Sequence, residues 1–226
     1  MKSSARRMTQ IYFAQRKLSR KALVLLVTGA SGSGKRLMSR VFAASTHRNF
    51  FEVDGYEMVS ENPAKSEATW NSWWGRAKFL QNCVLFIRNA SVLAIDQFNS
   101  VDRRVLQTIE RKLQEPSKVT VIFSSNTDML SSMAPGVKSI ALYTFSTEYL
   151  DEEDRKLWLA YFLNEKLASY VAKKTSGFTL AELENLVKTE EEMREERNDE
   201  SQERVFEEVI DKRNANFADA IGAPKV

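Results

Sequence analysis

Gly29-Ala30-Ser31-Gly32-Ser33-Gly34-Lys35 decides the fold of this chain. The stretch follows an apolar run over residues 23–27 and Thr28, and it leads into Leu37, Met38, Val41 and Phe42. A continuous apolar run, a glycine loop and apolar residues three and four apart read as strand, loop and helix. In that setting the spacing G-x-x-x-x-G-K is a phosphate-binding loop. Glycines let successive backbone N–H groups turn inward toward phosphate oxygens. The helix that follows presents its N-terminal amides to the same anion. Lys35 reaches the outer phosphates as a point charge. The expected nucleotide contacts are Gly29, Ala30, Ser31, Gly32, Ser33, Gly34, Lys35 and Arg36. Position 36 is the irregular one. The hydroxyl that ligates Mg²⁺ from this position in such loops is replaced by a guanidinium, which has no lone pair for a metal. ATP is the expected ligand, and the binding of Mg²⁺ stays open.

Outward from the loop, strands and helices alternate. Residues 8–18 have helical apolar spacing, and residues 22–28 read as a buried, central, parallel strand. The helix after the loop should cover 35–44. Phe50, Phe51 and Val53 make a second strand that ends at Asp54-Gly55, followed by a loop over 56–65 that contains Pro63. Residues 66–80 read as a helix carrying Trp70, Trp73 and Trp74, which fit core or interface packing better than base stacking. Residues 83–87 form a third buried strand, stopping at Arg88-Asn89. A helix over 99–114 ends before Pro116. Strands at 119–123 and 139–145 complete the set. This order predicts a five-stranded parallel sheet flanked by helices. Ligands of such sheets sit at the carboxyl ends of the strands, where Gly29, Arg88 and Asn126 fall.

From Tyr149 onward the pattern is purely helical. A helix starts at Asp151, another covers 167–174, and Thr179 with Glu182 forms a capping box. Residues 190–212 read as one long, solvated, charged helix, and 214–226 as a short segment and linker. The domains are therefore a basic helical extension at 1–21, an α/β subdomain at 22–148, a helical lid at 149–213 and a linker at 214–226.

Composition narrows the classes. A hydrophobic content of 43% supports a packed core, and one cysteine, Cys83, excludes a disulfide framework. No apolar run approaches the roughly 20 residues of a membrane span. The net charge of +3 is unevenly spread: residues 1–48 contain no Asp or Glu, whereas 190–208 are mostly acidic. The acid-free start reads either as a basic surface helix or as an organellar presequence.

With these parts in place, the chain resembles the AAA+ ATPases. Thr175-Ser176-Gly177-Phe178-Thr179-Leu180-Ala181-Glu182-Leu183 is similar to the lid signature T-S-G-F-S-G-A-D-L of the classical AAA group, and Asn126 matches that family's polar sensor residue. The resemblance covers residues 22–212. The closing run Asn216-Phe217-Ala218-Asp219-Ala220-Ile221-Gly222-Ala223-Pro224-Lys225-Val226 resembles the linker before the second ATPase module in the type II AAA peroxins. It implies a first, degenerate module of a peroxisomal ATPase that works in receptor extraction and matrix protein import. The partners implied are a sister peroxisomal AAA ATPase in a hetero-hexamer, a peroxisomal membrane anchor protein and ubiquitinated import receptors, with no nucleic acid. The implied location is the cytosol and the peroxisomal membrane surface.

Several family devices are altered. The Asp and Glu at the end of the third strand, which hold Mg²⁺ and activate water in the family, are here Arg88 and Asn89. The arginine-finger stretch is reduced to Ala134-Pro135-Gly136-Val137. No catalytic residue and no metal ligand is therefore expected intact. Arg88 is expected to face a γ-phosphate, solvent or Asp96. The aromatic substrate-gripping loop has no counterpart near Asn62-Pro63-Ala64, and Tyr56 is expected against the core. Three rival readings stand beside this one: an active ATPase whose metal strand is 92–96 with Asp96, a nucleic-acid-associated AAA+ protein, and a scaffold that binds no nucleotide.

Overall fold

The structure, a computed structural model, describes residues 2–18, 21–93, 103–126, 143–147, 149–197 and 201–220. The chain forms two compact units, Met1–Glu148 and Tyr149–Val226. The first contains α1 (Lys2–Leu18), β1 (Leu23–Thr28), α2 (Lys35–Ser45), β2 (Asn49–Asp54), α3 (Pro63–Phe79), β3 (Cys83–Arg88), α4 (Arg103–Gln114), β4 (Thr120–Ser125) and β5 (Tyr143–Ser146). Short 3-10 turns cover Gly55–Met58 and Ala90–Leu93. The second unit holds α5 (Glu152–Leu159), α6 (Glu165–Lys174), α7 (Leu180–Arg197) and α8 (Gln202–Ala220).

The five strands are parallel, in the order β2-β3-β4-β1-β5. The three inner strands are buried along almost their whole length, which is why they read as unbroken apolar runs. Alternate residues face opposite layers. Val24, Leu26, Leu85, Ile87, Val121 and Phe123 pack against α3 and α4 in a core that takes in Trp70, Trp73 and Trp74. Leu25, Val27, Phe86 and Ile122 pack on the other side with Met38 and Phe42 of α2 and Met8 and Tyr12 of α1. The tryptophans are thus core residues. Cys83 is buried in β3, and burial pushes its thiol up to about 11.

Arg48 closes the amino end of the sheet. Its guanidinium donates to Thr120 Oγ1 at 2.8 Å, to the Cys83 carbonyl at 3.1 Å and to the Lys118 carbonyl. It also lies 4.9 Å from the ring centre of Tyr12. The basic start of the chain is therefore a helix packed on α2, anchored by Met8 and Tyr12.

In the second unit the lid signature has a direct physical meaning. Thr175 ends α6 with its hydroxyl donating to the Val171 carbonyl at 2.9 Å, and Gly177 turns the chain with φ of 76°. Phe178 enters the core under the Arg213 guanidinium, 4.1 Å from its ring centre. The Thr179 backbone N–H donates to Glu182 at 2.7 Å while the Glu182 N–H donates to Thr179 Oγ1 at 3.3 Å, a reciprocal capping box. Arg213 of α8 pairs with the same carboxylate at 2.6 Å.

Several local expectations are corrected. Pro63 opens α3 instead of lying in a loop, because Asn62 accepts from the Ala64 N–H and proline suits the first helical position. Tyr56 is half exposed and does not lie against the core. The single helix over 190–212 is two: α7 stops at Arg197, and α8 starts at Gln202 and buries Val205, Phe206 and Ile210. Its apolar anchors make it a packed helix, not a solvated one. Residues 214–220 continue α8, so a linker does not begin at Asn214. The start of the helix expected from Asn99, the strand start at 139–142, Ala134-Pro135-Gly136-Val137 and residues 221–226 lie outside the described residues.

Candidate functional site

The site is built where β1 ends. Thr28 is buried and flanked by β4 and β5, so the loop at 29–34 emerges from the middle of the sheet. Gly29 has a φ of 148°, and a Cβ there would fall 2.0 Å from Thr147 Oγ1 and 2.5 Å from the Thr147 carbonyl oxygen. Only glycine fits between that backbone and the turn. Gly34 has a φ of 89° and stands at the N-cap of α2 without a capping side chain. The first amides of α2 therefore meet no side-chain acceptor from the cap, which suits an anion.

Lys35 folds back over the loop. Its ammonium donates to the Gly29 carbonyl at 2.6 Å, the Ala30 carbonyl at 2.8 Å and Asn126 Oδ1 at 3.1 Å. Partial burial pulls its pKa below the usual lysine value. Asn126, just past β4, thus stands beside the phosphate-loop lysine. Ala30, Ser31 and Gly32 form the outer turn of the loop, where the Ser33 N–H donates to the Ala30 carbonyl at 3.2 Å.

Thr147 was not legible in the sequence as part of the site. It follows β5, and its hydroxyl and N–H both donate to the Thr28 carbonyl, at 3.0 and 2.7 Å. With its proton committed there, its oxygen accepts from Ser33 Oγ at 2.6 Å. Both hydroxyls are buried. A threonine at a strand's carboxyl end beside the phosphate loop was the only available signal.

Arg36 and Arg88 both meet Glu52. Arg36 Nε donates to Glu52 Oε2 at 2.8 Å, and Arg40, one turn on, approaches the same oxygen at 3.6 Å. Arg88 Nε lies 3.3 Å from Glu52 Oε1, and its Nη2 donates to Asp54 Oδ2 at 2.9 Å. Asn89 has a φ of 52° and donates to both oxygens of Asp54, at 3.0 and 3.1 Å. The register Asp54↔Arg88 of the β2–β3 pair makes this meeting unavoidable. Arg88 therefore meets two acids of the neighbouring strand; Asp96 lies outside the described residues.

The shifted reading with a strand at 92–96 is not supported. Val92 belongs to the 3-10 turn Ala90–Leu93, and Cys83–Arg88 is the strand; Asp96 lies outside the described residues. Among the described residues, no group of three or more His, Cys, Asp or Glu could hold a metal ion. Among the described residues the donor set also fails the chemistry of Mg²⁺. The metal needs oxygen ligands, whereas positions 36 and 88 carry guanidiniums and the nearby carboxylates are already engaged.

Comparison with known proteins agrees with this geometry. A family model described as the ATPase family associated with various cellular activities (AAA) matches residues 25–141, just over half of the chain. Among curated proteins, the peroxisomal ATPase PEX6 of Dictyostelium discoideum is 29% identical over 130 residues, 53% of this chain and 11% of that protein. The 26S proteasome regulatory subunit 10B of the same organism is 27% identical over 45% of this chain and 28% of its own. The ATP-dependent zinc metalloprotease FtsH 1 of Symbiobacterium thermophilum is 27% identical over 72% of this chain and 30% of its own. The chain thus spans less than a third of the length of each. The similar identities do not set the peroxisomal relative apart from the other two.

Proposed function

Because the chain belongs to the AAA family of ATPases, we propose that it is a nucleotide-binding AAA+ module that holds ATP without hydrolysing it efficiently. One observation carries the reading. The phosphate loop keeps its strand–loop–helix frame and its lysine, while the end of β3 presents Arg88 and Asn89 tied to Glu52 and Asp54. Water activation in phosphoryl transfer calls for a group that accepts a proton or orients the attacking water, and neither residue can take a proton at neutral pH. ATP then serves as a structural ligand at the junctions of a hexameric ring, as the AAA family's assembly into rings suggests.

The peroxisomal reading is the finer part of the proposal. It rests on the linker-like closing residues and on the similarity to PEX6. In this reading the chain corresponds to the first module of peroxisomal biogenesis factor six. It pairs with peroxisomal biogenesis factor one at the peroxisomal membrane and takes part in extracting ubiquitinated import receptors.

Equilibrium titration of the chain with a fluorescent ATP analogue tests the core of the proposal. Lys35→Ala should abolish binding, since the ammonium is the loop's outer phosphate ligand. Phosphate release above the Lys35→Ala background would overturn the hydrolysis-deficient reading. Absence of binding by the wild-type chain would overturn nucleotide binding itself and leave a scaffold.

A further inference from the structure

We propose that this chain carries a charge-inverted metal site, in which the Glu52 carboxylate takes the place of Mg²⁺ and the ligand is metal-free nucleotide. The inference rests on the nucleotide-loop reading above and specifies the ionic form of its ligand. In phosphate-loop ATPases Mg²⁺ lies between the hydroxyl after the lysine and an acid at a strand end, a cation between two oxygen ligands. Here both positions are arginines, and both converge on one carboxylate. Arg36 Nε is 2.8 Å from Glu52 Oε2 and Arg88 Nε is 3.3 Å from Glu52 Oε1. The signs are reversed, and an anion now joins the start of α2 to the end of β3.

The sheet explains why the three meet. Phe50 and Phe86 stack at 5.5 Å on the face covered by α2. Glu52 and Arg88 stand two residues further along the same strands and therefore share that face. Glu52 is mostly buried, with 17% of its side chain exposed, whereas Arg36 and Arg88 keep about half of theirs, 56% and 49%. Asp54 and Asn89 hold the far side of this pair, with Arg88 bridging both carboxylates. Arg36, Arg40 and Arg88 against Glu52 and Asp54 leave one surplus positive charge. That surplus repels a divalent cation and favours the more negative, metal-free form of the nucleotide.

The test titrates the full chain with a fluorescent ATP analogue in EDTA and in Mg²⁺. The wild-type chain should bind more tightly in EDTA than in Mg²⁺, by about threefold or more. Glu52→Gln releases Arg36 and Arg40 from their carboxylate and leaves Arg88 on Asp54 alone, and affinity in EDTA at low salt should rise about threefold or more. The pair Arg36→Thr with Arg88→Asp restores two oxygen ligands and should gain a preference of about tenfold for the Mg²⁺ form. Wild-type binding that is equal in the two conditions or stronger in Mg²⁺ overturns the inference, as does unchanged EDTA affinity in Glu52→Gln. If no chain binds the analogue, the nucleotide reading falls, and the inverted site is then read from hydrogen exchange at the arginine Nε–H groups. Slow exchange at Arg36 and Arg88 that becomes fast in Glu52→Gln supports the arrangement. Free-arginine rates in the wild type refute it.

Discussion

Replacing Thr147 by valine removes one oxygen and keeps the side chain's shape, so it isolates what that hydroxyl does for the phosphate loop. The oxygen donates to the Thr28 carbonyl at 3.0 Å and accepts from Ser33 Oγ at 2.6 Å. The Thr28 carbonyl keeps its bond from the Thr147 N–H at 2.7 Å. The Ser33 hydroxyl loses its acceptor while buried. One lost hydrogen bond and one stranded donor together cost about 2–4 kcal/mol. Ser33→Ala removes the stranded donor in advance, so Thr147→Val in that background should cost about 1 kcal/mol less. Urea unfolding followed by tryptophan fluorescence measures this well, because Trp70, Trp73 and Trp74 all lie in the first unit. Thr147→Ser restores the hydroxyl and should recover most of the loss. Equal costs for Thr147→Val in both backgrounds would refute the coupling of the two hydroxyls. A serine variant no better than valine would show that the methyl group matters as much as the oxygen at this position.

Two further substitutions test other parts of the structure. Gly29→Ala places a Cβ 2.0 Å from Thr147 Oγ1 at a φ of 148°, and overpacking with backbone strain should cost about 2–5 kcal/mol in the same unfolding assay. Glu190 of α7 is buried with Arg194 Nε 3.5 Å away, and burial raises its carboxyl above the ordinary value despite that partner. The folded state therefore holds the proton more tightly than the unfolded state, and ionisation destabilises the fold above the raised value. Glu190→Gln should raise the thermal midpoint at neutral pH. The gain should shrink as pH falls through the raised value and vanish below the ordinary carboxylate range.

What the sequence disclosed was local. The loop, its lysine and the strand before it occupy consecutive positions, and the buried strands announce themselves as apolar runs. The capping box at Thr179 and Glu182 was readable for the same reason. The partners of Arg36 and Arg88 were not. Glu52 sits 16 residues from Arg36 in an edge strand, and only the register of β2 against β3 brings it to both arginines. Thr147 is 114 residues from Ser33, and its place depends on β5 pairing beside β1. Pro63 misled because proline breaks a helix interior yet opens a first turn, and the deciding cap lies one residue before it, at Asn62. The division between α7 and α8 escaped because charged residues on both sides of Ser201 give no change in periodicity.

The three bonds of the Lys35 ammonium have a kinetic consequence. Two loop carbonyls and Asn126 already satisfy its donors, so an arriving phosphate does not add to an open charge but displaces ligands that are in place. Association then becomes a substitution with two steps, lysine release and phosphate capture. Its observed rate should level off at high nucleotide concentration, at the speed with which the lysine leaves its carbonyls. Asn126→Ala removes one of the three ties, and it should raise both that plateau and the initial slope, because lysine release becomes easier.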